Sequence, residues 1–188
     1  YLPVSHYLPD FKQTGYKDDL KVFHILSHSS GLVPNAYDNL IESRMGYNDI
    51  VEKLLSVKPI CDPGDCYGYQ NVMFSLIDDV ILKSTNKTYT QWLNDAFFTP
   101  LEMNDASLGY DAMVQDNNYA HPHVRGKKRW YSARLKKNYY KVAPAAGVNA
   151  SASDMAIWLN AQLGQYPSVL SLDALATQTR PYTHTKKE

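Results

Sequence analysis

Tyr69, Gln70 and Asn71 form a triplet that puts a phenol and a carboxamide one helical step apart. The triplet sits behind the turn Asp62-Pro63-Gly64-Asp65 and opens a segment whose apolar residues recur at helical spacing. At a helix start, both side chains can point into the cleft beside the N-terminus. A phenol can relay a proton if its pKa is lowered, and an amide can orient an amide-bearing substrate by donating and accepting, so the pair suits acyl transfer. The same triplet is also open to a plain reading as a packed Tyr and a capping Asn. Cys61 and Cys66 flank the turn. The turn can bring their Cα atoms within bridging distance, which leaves either a disulfide pinning the loop that delivers Tyr69, in an oxidising compartment, or two free thiols.

Other residues with chemical potential are less well supported. His24 and His28 share a helix face at i,i+4, but a metal needs further ligands, so packing or capping accounts for them. His121-Pro122-His123 has no obvious additional ligands and no second cysteine pair follows, so neither a metal nor another cofactor is expected.

Positioning elements can be read from caps and periodicity. Pro3 and Pro9 make the first ten residues extended or turned. Asp18 or Asp19 can cap a short helix through Val22, Ile25 and Leu26 that Gly31 ends. Asn48 can cap one carrying Ile50, Val51, Leu54 and Leu55, which Pro59 ends. After Tyr69, Met73, Leu76, Ile77, Val80 and Ile81 fall on one face of a single helix. Thr88 caps a helix whose stripe is Tyr89, Trp92, Leu93 and Phe97. Tyr119 to Val124 and Lys128 to Tyr131, around Arg125-Gly126-Lys127, read as a hairpin. Ser151 or Ser153 caps a helix through Met155, Ile157, Trp158 and Leu159, and Ser171 a last one through Leu172, Leu175 and Ala176. The expected fold is mostly α, a compact helical domain with a small β-hairpin.

Composition narrows the partners. At 188 residues the chain fits one domain able to bury its own core. Nineteen basic residues balance nineteen acidic ones, so no global field favours nucleic acid or an anionic membrane. No apolar run approaches a membrane span, and Tyr1-Leu2-Pro3-Val4 lacks the pattern of a signal peptide. A basic, aromatic stretch from Arg125 to Lys141 could in principle track a phosphate backbone, but the balanced charge favours a solvated hairpin surface and no nucleic acid is expected.

Three blocks together resemble the serine β-lactamase and penicillin-binding-protein superfamily, in the branch of class C β-lactamases, D-alanyl-D-alanine carboxypeptidases and related esterases. Ile25-Leu26-Ser27-His28-Ser29-Ser30-Gly31-Leu32 is similar to the family's Leu-Leu-x-His-Thr-Ser-Gly-Leu. Pro63-Gly64 followed by Tyr69-Gln70-Asn71 resembles its Pro-Gly and Tyr-Ser-Asn or Tyr-Ala-Asn. Ala146-Gly147-Val148 through Ser151-Ala152-Ser153-Asp154-Met155-Ala156-Ile157-Trp158 resembles its Gly-Gly-Leu and Ser-x-x-Asp-Met-Ala-x-Trp. Pro100-Leu101-Glu102-Met103, resembling Pro-Leu-Gly-Met, keeps the same register, and the order holds across nearly the whole chain.

The resemblance implies a Ser-x-x-Lys nucleophile, the Tyr-x-Asn pair and a Lys-Thr-Gly or His-Thr-Gly strand. Tyr69 then relays protons and Asn71 binds the substrate's amide. Gln70, in place of the usual Ser or Ala, tunes the site or is an ordinary solvated helix residue, and Asn35 lines the cleft or serves only its turn. Ser84-Thr85-Asn86-Lys87 matches Ser-x-x-Lys literally but follows Tyr69, the wrong order. His184-Thr185-Lys186 lacks the glycine.

The resemblance therefore implies a helical lid domain over residues 1–188. It is expected to be excised from a larger α/β + α hydrolase, inactive alone, and partnered by the missing α/β domain. Its substrate would be a small molecule: a β-lactam, a D-Ala-D-Ala stem peptide or an ester. Ala146, where class C β-lactamases carry an aromatic, implies a more open cleft and favours a peptidase or esterase. The parent is expected to be periplasmic or extracellular, and an uncovered apolar face could promote self-association. The alternative is a non-catalytic helical module that binds protein or peptidoglycan.

Overall fold

A computed structural model describes residues 2–9 and 19–183 of the chain. The expected cap Asp18 and the segment His184-Thr185-Lys186 lie outside these residues. The architecture is mostly α, with two small antiparallel sheets.

The first half packs short helices around one core. They are α1 (Val4–Tyr7), α2 (Val22–Leu26), α3 (Asp38–Ile41), α4 (Tyr47–Leu55), α5 (Asn71–Ser75) and α6 (Ile77–Thr85). Ile25, Leu32, Ile41, Ile50, Leu54, Val72, Met73 and Leu76 are sealed inside it, and Val142 joins them from the far end of the sequence. Burial of these branched and thioether side chains, at about 1.5–3 kcal/mol each, supplies the cohesion that helices of four to nine residues lack on their own.

The second half opens with α7 (Tyr89–Leu93) and a π-turn at Asn94–Phe98, followed by β1 (Ser107–Leu108) and α8 (Tyr110–Gln115). The hairpin β2 (His123–Arg125) and β3 (Trp130–Ser132) comes next, then a 3-10 turn at Asn138–Val142 and α9 (Ala143–Ala146). The chain finishes with β4 (Val148–Asn149), α10 (Ala152–Gln162) and α11 (Leu172–Thr179). A second core unites Leu93, Phe98, Leu101, Met103, Ala161 and Leu170. β1 pairs with β4, Ser107 opposite Asn149, which ties α10 to the turn after α7.

Several caps act as the sequence suggests. The Thr88 hydroxyl accepts the Gln91 N–H while the Gln91 side chain accepts the Thr88 N–H. The Ser-x-x-Asp of the third block is a capping box too: Ser151 Oγ accepts the Asp154 N–H, and the buried Asp154 carboxylate accepts from Ser151 N at 3.0 Å and Ser151 Oγ at 2.9 Å. Of the two serines considered, Ser151 is therefore the cap. The hairpin pairs His123 with Ser132 and Arg125 with Trp130, and both strands are exposed on all sides.

Four expectations are corrected. Gly46 rather than Asn48 is the N-cap of α4, because the Asp49 carboxylate reaches back to the Gly46 N–H at 3.3 Å. The segment after Tyr69 is two helices, since Leu76 N donates to Met73 O in a tightened turn between α5 and α6. The π-turn, with Thr99 N donating to Asn94 O at 3.0 Å, brings Phe98 into the second core, against which Phe97 packs partly buried. Helix α2 stops at Leu26, with His28 rather than Gly31 taking the first left-handed conformation (φ 55°). Gly31 serves another purpose: a Cβ there would sit 2.3 Å from the Cys61 carbonyl oxygen, so only glycine lets the disulfide loop lie this close.

Candidate functional site

The triplet is presented by an extended step onto α5. Gln70 is the N-cap (φ −142°, ψ 107°) and Asn71 the first helical residue. Tyr69 is 42% exposed, so a large part of the residue reaches solvent.

Two segments hold this step in place. From one side, the His28 carbonyl accepts the Gly68 N–H at 2.8 Å and His28 Nδ1 accepts the Gln70 N–H at 3.2 Å. The bonds bracket Tyr69, and the imidazole packs on it with ring centroids 4.4 Å apart, extending onto Phe74 and Tyr67. Burial pushes the His28 pKa down, so at pH 7 the ring is neutral, the form in which Nδ1 can accept.

From the other side, the loop from Val33 to Asp38 makes one hydrogen bond to each residue of the triplet. Asn35 N donates to Tyr69 O at 2.7 Å, Gln70 Nε2 donates to Val33 O, and Asn71 Nδ2 donates to Asp38 Oδ2 at 2.8 Å. Asn35 and Tyr37 are left-handed, which turns the loop back onto the triplet.

The disulfide question left open by the sequence resolves as a bond. Cys61 and Cys66 are linked with Cα atoms 6.3 Å apart. The closed loop braces the backbone behind His28 through Gly64 N to Ser29 O and Ile60 N to Gly31 O, both 2.8 Å. Gly68 is the second glycine required by space, because a Cβ would lie 2.4 Å from Leu32 O.

The candidate residues thus separate. Tyr69, Asn71 and the exposed Asn35 lie together, with Tyr69 itself exposed. Gln70 does not present its side chain: it is fully buried, neither a solvated helix residue nor a group facing a ligand, and its amide ties α5 to the Val33 carbonyl. Ser84 is turned into its own helix, donating to Val80 O at 2.7 Å, while Lys87 pairs with Asp95, so these two form no nucleophile–base dyad. Ser29 and Ser30 are buried as well. His24 and His28 do not share a helix face, since His28 lies past the helix end and His24 Nδ1 accepts the Lys21 N–H.

Two contributors escaped the sequence reading. The clamping role of His28 depends on a contact forty-two positions away at Gln70, and Asp38 carries no local signal. Elsewhere, a groove of about 630 Å³ is walled by Tyr89, Trp92, Phe97, Met103, Met155 and Trp158. Ala146, at the end of α9, is exposed.

With this geometry in view, the comparisons agree with one another. The family model described as Beta-lactamase matches residues 1–187, and the chain belongs to the Beta-lactamase family. Protein flp of Staphylococcus aureus is 22% identical over 167 residues, covering 85% of this chain and 32% of that protein. The N-acetylmuramyl-L-alanine amidase of Bacillus subtilis is 25% identical over 203 residues, covering 92% of this chain and 46% of that protein. The chain spans less than half the length of these curated relatives.

Among solved structures, the octameric penicillin-binding protein homologue from Pyrococcus abyssi superimposes with a TM-score of 0.82 at 19% identity, over 99% of this chain and 44% of its own. The D-amino acid amidase from Ochrobactrum anthropi gives 0.72 at 18%, over 93% and 51%. A class C beta-lactamase gives 0.67 at 23%, over 87% and 43%. These likenesses establish the fold, a mostly helical domain of the β-lactamase type.

Proposed function

We propose that residues 1–188 are the helical part of a serine acyl-transfer hydrolase, supplying Tyr69 and Asn71 to a cleft whose nucleophile lies in other polypeptide. The observation that carries this reading is the clamped triplet, in which buried Gln70 anchors the step while Tyr69 stays exposed and Asn71 half-buried beside it. The backbone around Tyr69 is fixed on both sides while the residue stays 42% exposed, so ordering it costs entropy for little burial beyond its packing on His28. Family membership and the shared fold support it. The buried or self-paired state of Ser29, Ser30 and Ser84 agrees with a nucleophile outside this chain.

The substrate proposed is a small acyl compound: a β-lactam, a D-Ala-D-Ala peptide or an ester. Exposed Ala146 is consistent with an open cleft wall. The Cys61–Cys66 bond favours a periplasmic or extracellular setting. The apolar groove beside Trp92 and Trp158 is a candidate for cover by an α/β domain or by a second copy.

The test is covalent labelling of the full-length protein carrying this chain with a fluorescent penicillin and a fluorophosphonate, followed by peptide mapping. The expected result is an adduct on a serine outside residues 1–188. An adduct on a serine within them, or none with either probe, overturns the reading.

A further inference from the structure

The Asp38 carboxylate is held in an arrangement that needs explaining. Asp38 opens α3 directly after left-handed Tyr37, and its N–H donates to Asn35 O at 3.1 Å, so its backbone is fixed to the loop that grips the triplet. Oδ2 accepts from Asn71 Nδ2 at 2.8 Å. Oδ1 is shielded from solvent and accepts no hydrogen bond among the described residues. The ion pairs of the described residues are Lys87–Asp95 and Lys137–Asp111, and neither involves Asp38. Shielding a carboxylate oxygen without a partner is unfavourable, so the single bond to Asn71 is what this costly group contributes here.

That bond has a chemical consequence. A carboxylate only accepts, whereas a carboxamide both donates and accepts and can turn over by half a rotation. Facing Asp38, Asn71 is compelled to direct its nitrogen toward the carboxylate, and its Oδ1 is thereby turned away from it. Asn71 Oδ1 makes no hydrogen bond among the described residues and is not one of the shielded, unpartnered atoms.

We propose that Asp38 is a positioning residue that locks the carboxamide of Asn71 in one of its two flips, so that its oxygen is always the atom offered to the cleft as an acceptor. This rests on the reading of Asn71 as a substrate-facing residue of an acyl-transfer site. Without Asp38 the amide samples both flips, and a substrate or neighbouring donor meets the wrong atom part of the time. The loss appears in turnover and is specific to Asn71.

A double-mutant cycle on kcat/KM in the full-length protein tests this, with a chromogenic cephalosporin and a p-nitrophenyl ester as substrates. Asp38→Ala is expected to lower kcat/KM about tenfold with Asn71 present, and by less than about twofold in an Asn71→Ala background. A role independent of Asn71 would lower both backgrounds equally, and a role confined to holding α5 in place would lower the urea midpoint while leaving kcat/KM of the folded protein unchanged; either result overturns the proposal. Asp38→Asn covers the case in which Asp38→Ala does not fold. It preserves shape but can donate as well as accept, so a smaller fall is expected that also vanishes with Asn71→Ala. An equal fall in both backgrounds again refutes the idea. Penicillin and fluorophosphonate labelling of the unmutated protein separates the two levels: no adduct removes the hydrolase reading and this inference with it, whereas an adduct without coupling removes this inference alone.

Discussion

Replacing His28 with alanine should loosen the presentation of Tyr69 more than its exposed position suggests. The imidazole Nδ1 is the acceptor for the Gln70 N–H, and Gln70 is fully buried, so removing the ring strands a donor that water cannot reach. That costs about 1–3 kcal/mol, and loss of a half-buried ring against Tyr69 and Phe74 adds about 1 kcal/mol, for about 2–4 kcal/mol together. His28→Asn should recover much of it, because asparagine keeps an acceptor and tolerates the left-handed backbone at φ 55°.

The same interaction sets a pH dependence. Burial lowers the pKa of His28, and burial together with nearby Lys21 lowers that of His24, so the unfolded chain binds protons on these groups more readily than the folded one. Their contribution is complete above the unfolded pKa of about 6.5 and is lost as pH falls from there through the folded values. Urea unfolding at pH 7.5 and at steps down to pH 5 should show these two histidines lowering stability on acidification, with a shallower decline in His28→Ala because, of the pair, His24 alone remains. A His28→Ala protein within about 0.5 kcal/mol of the parent, with the same pH slope, would refute the clamp.

Two further outcomes follow from the same geometry. Reducing the Cys61–Cys66 bond, or replacing both cysteines by serine, should cost about 2 kcal/mol by loop-closure entropy for so short a loop, read as a lower urea midpoint; no change would mean the loop is held by its other contacts. Gly68→Ala puts a methyl 2.4 Å from Leu32 O and must push the triplet outward, and a displacement of about 1 Å predicts about a hundredfold loss of kcat/KM, so full activity would show that Tyr69 needs no such placement.

What could be read from the sequence was what is local in the chain. Thr88, Ser151 and Ser171 announce their helices because a cap and its partner lie three residues apart. The hairpin around Gly126 was legible from its turn residue and flanking β-formers. The burial of Phe98 beside Phe97 was not, since a π-turn shifts the helical phase without any residue type that marks it. Gln70 escaped for a different reason: its burial depends on Val33, thirty-seven positions away, and no pattern in the triplet encodes that contact. The pairing of Asp38 with Asn71 across thirty-three positions is equally non-local. The triplet itself was legible because its three residues are contiguous, whereas the scaffold holding it comes from three separate stretches of chain.

The most direct measurement is the single-turnover acylation and deacylation rate of the full-length protein with Tyr69 changed to phenylalanine. Removing one oxygen from an exposed tyrosine should leave the fold intact and slow at least one of the two steps about a hundredfold, the loss expected for a missing proton relay. Rates equal to those of the parent for both steps would contradict the assignment of Tyr69 to the chemistry.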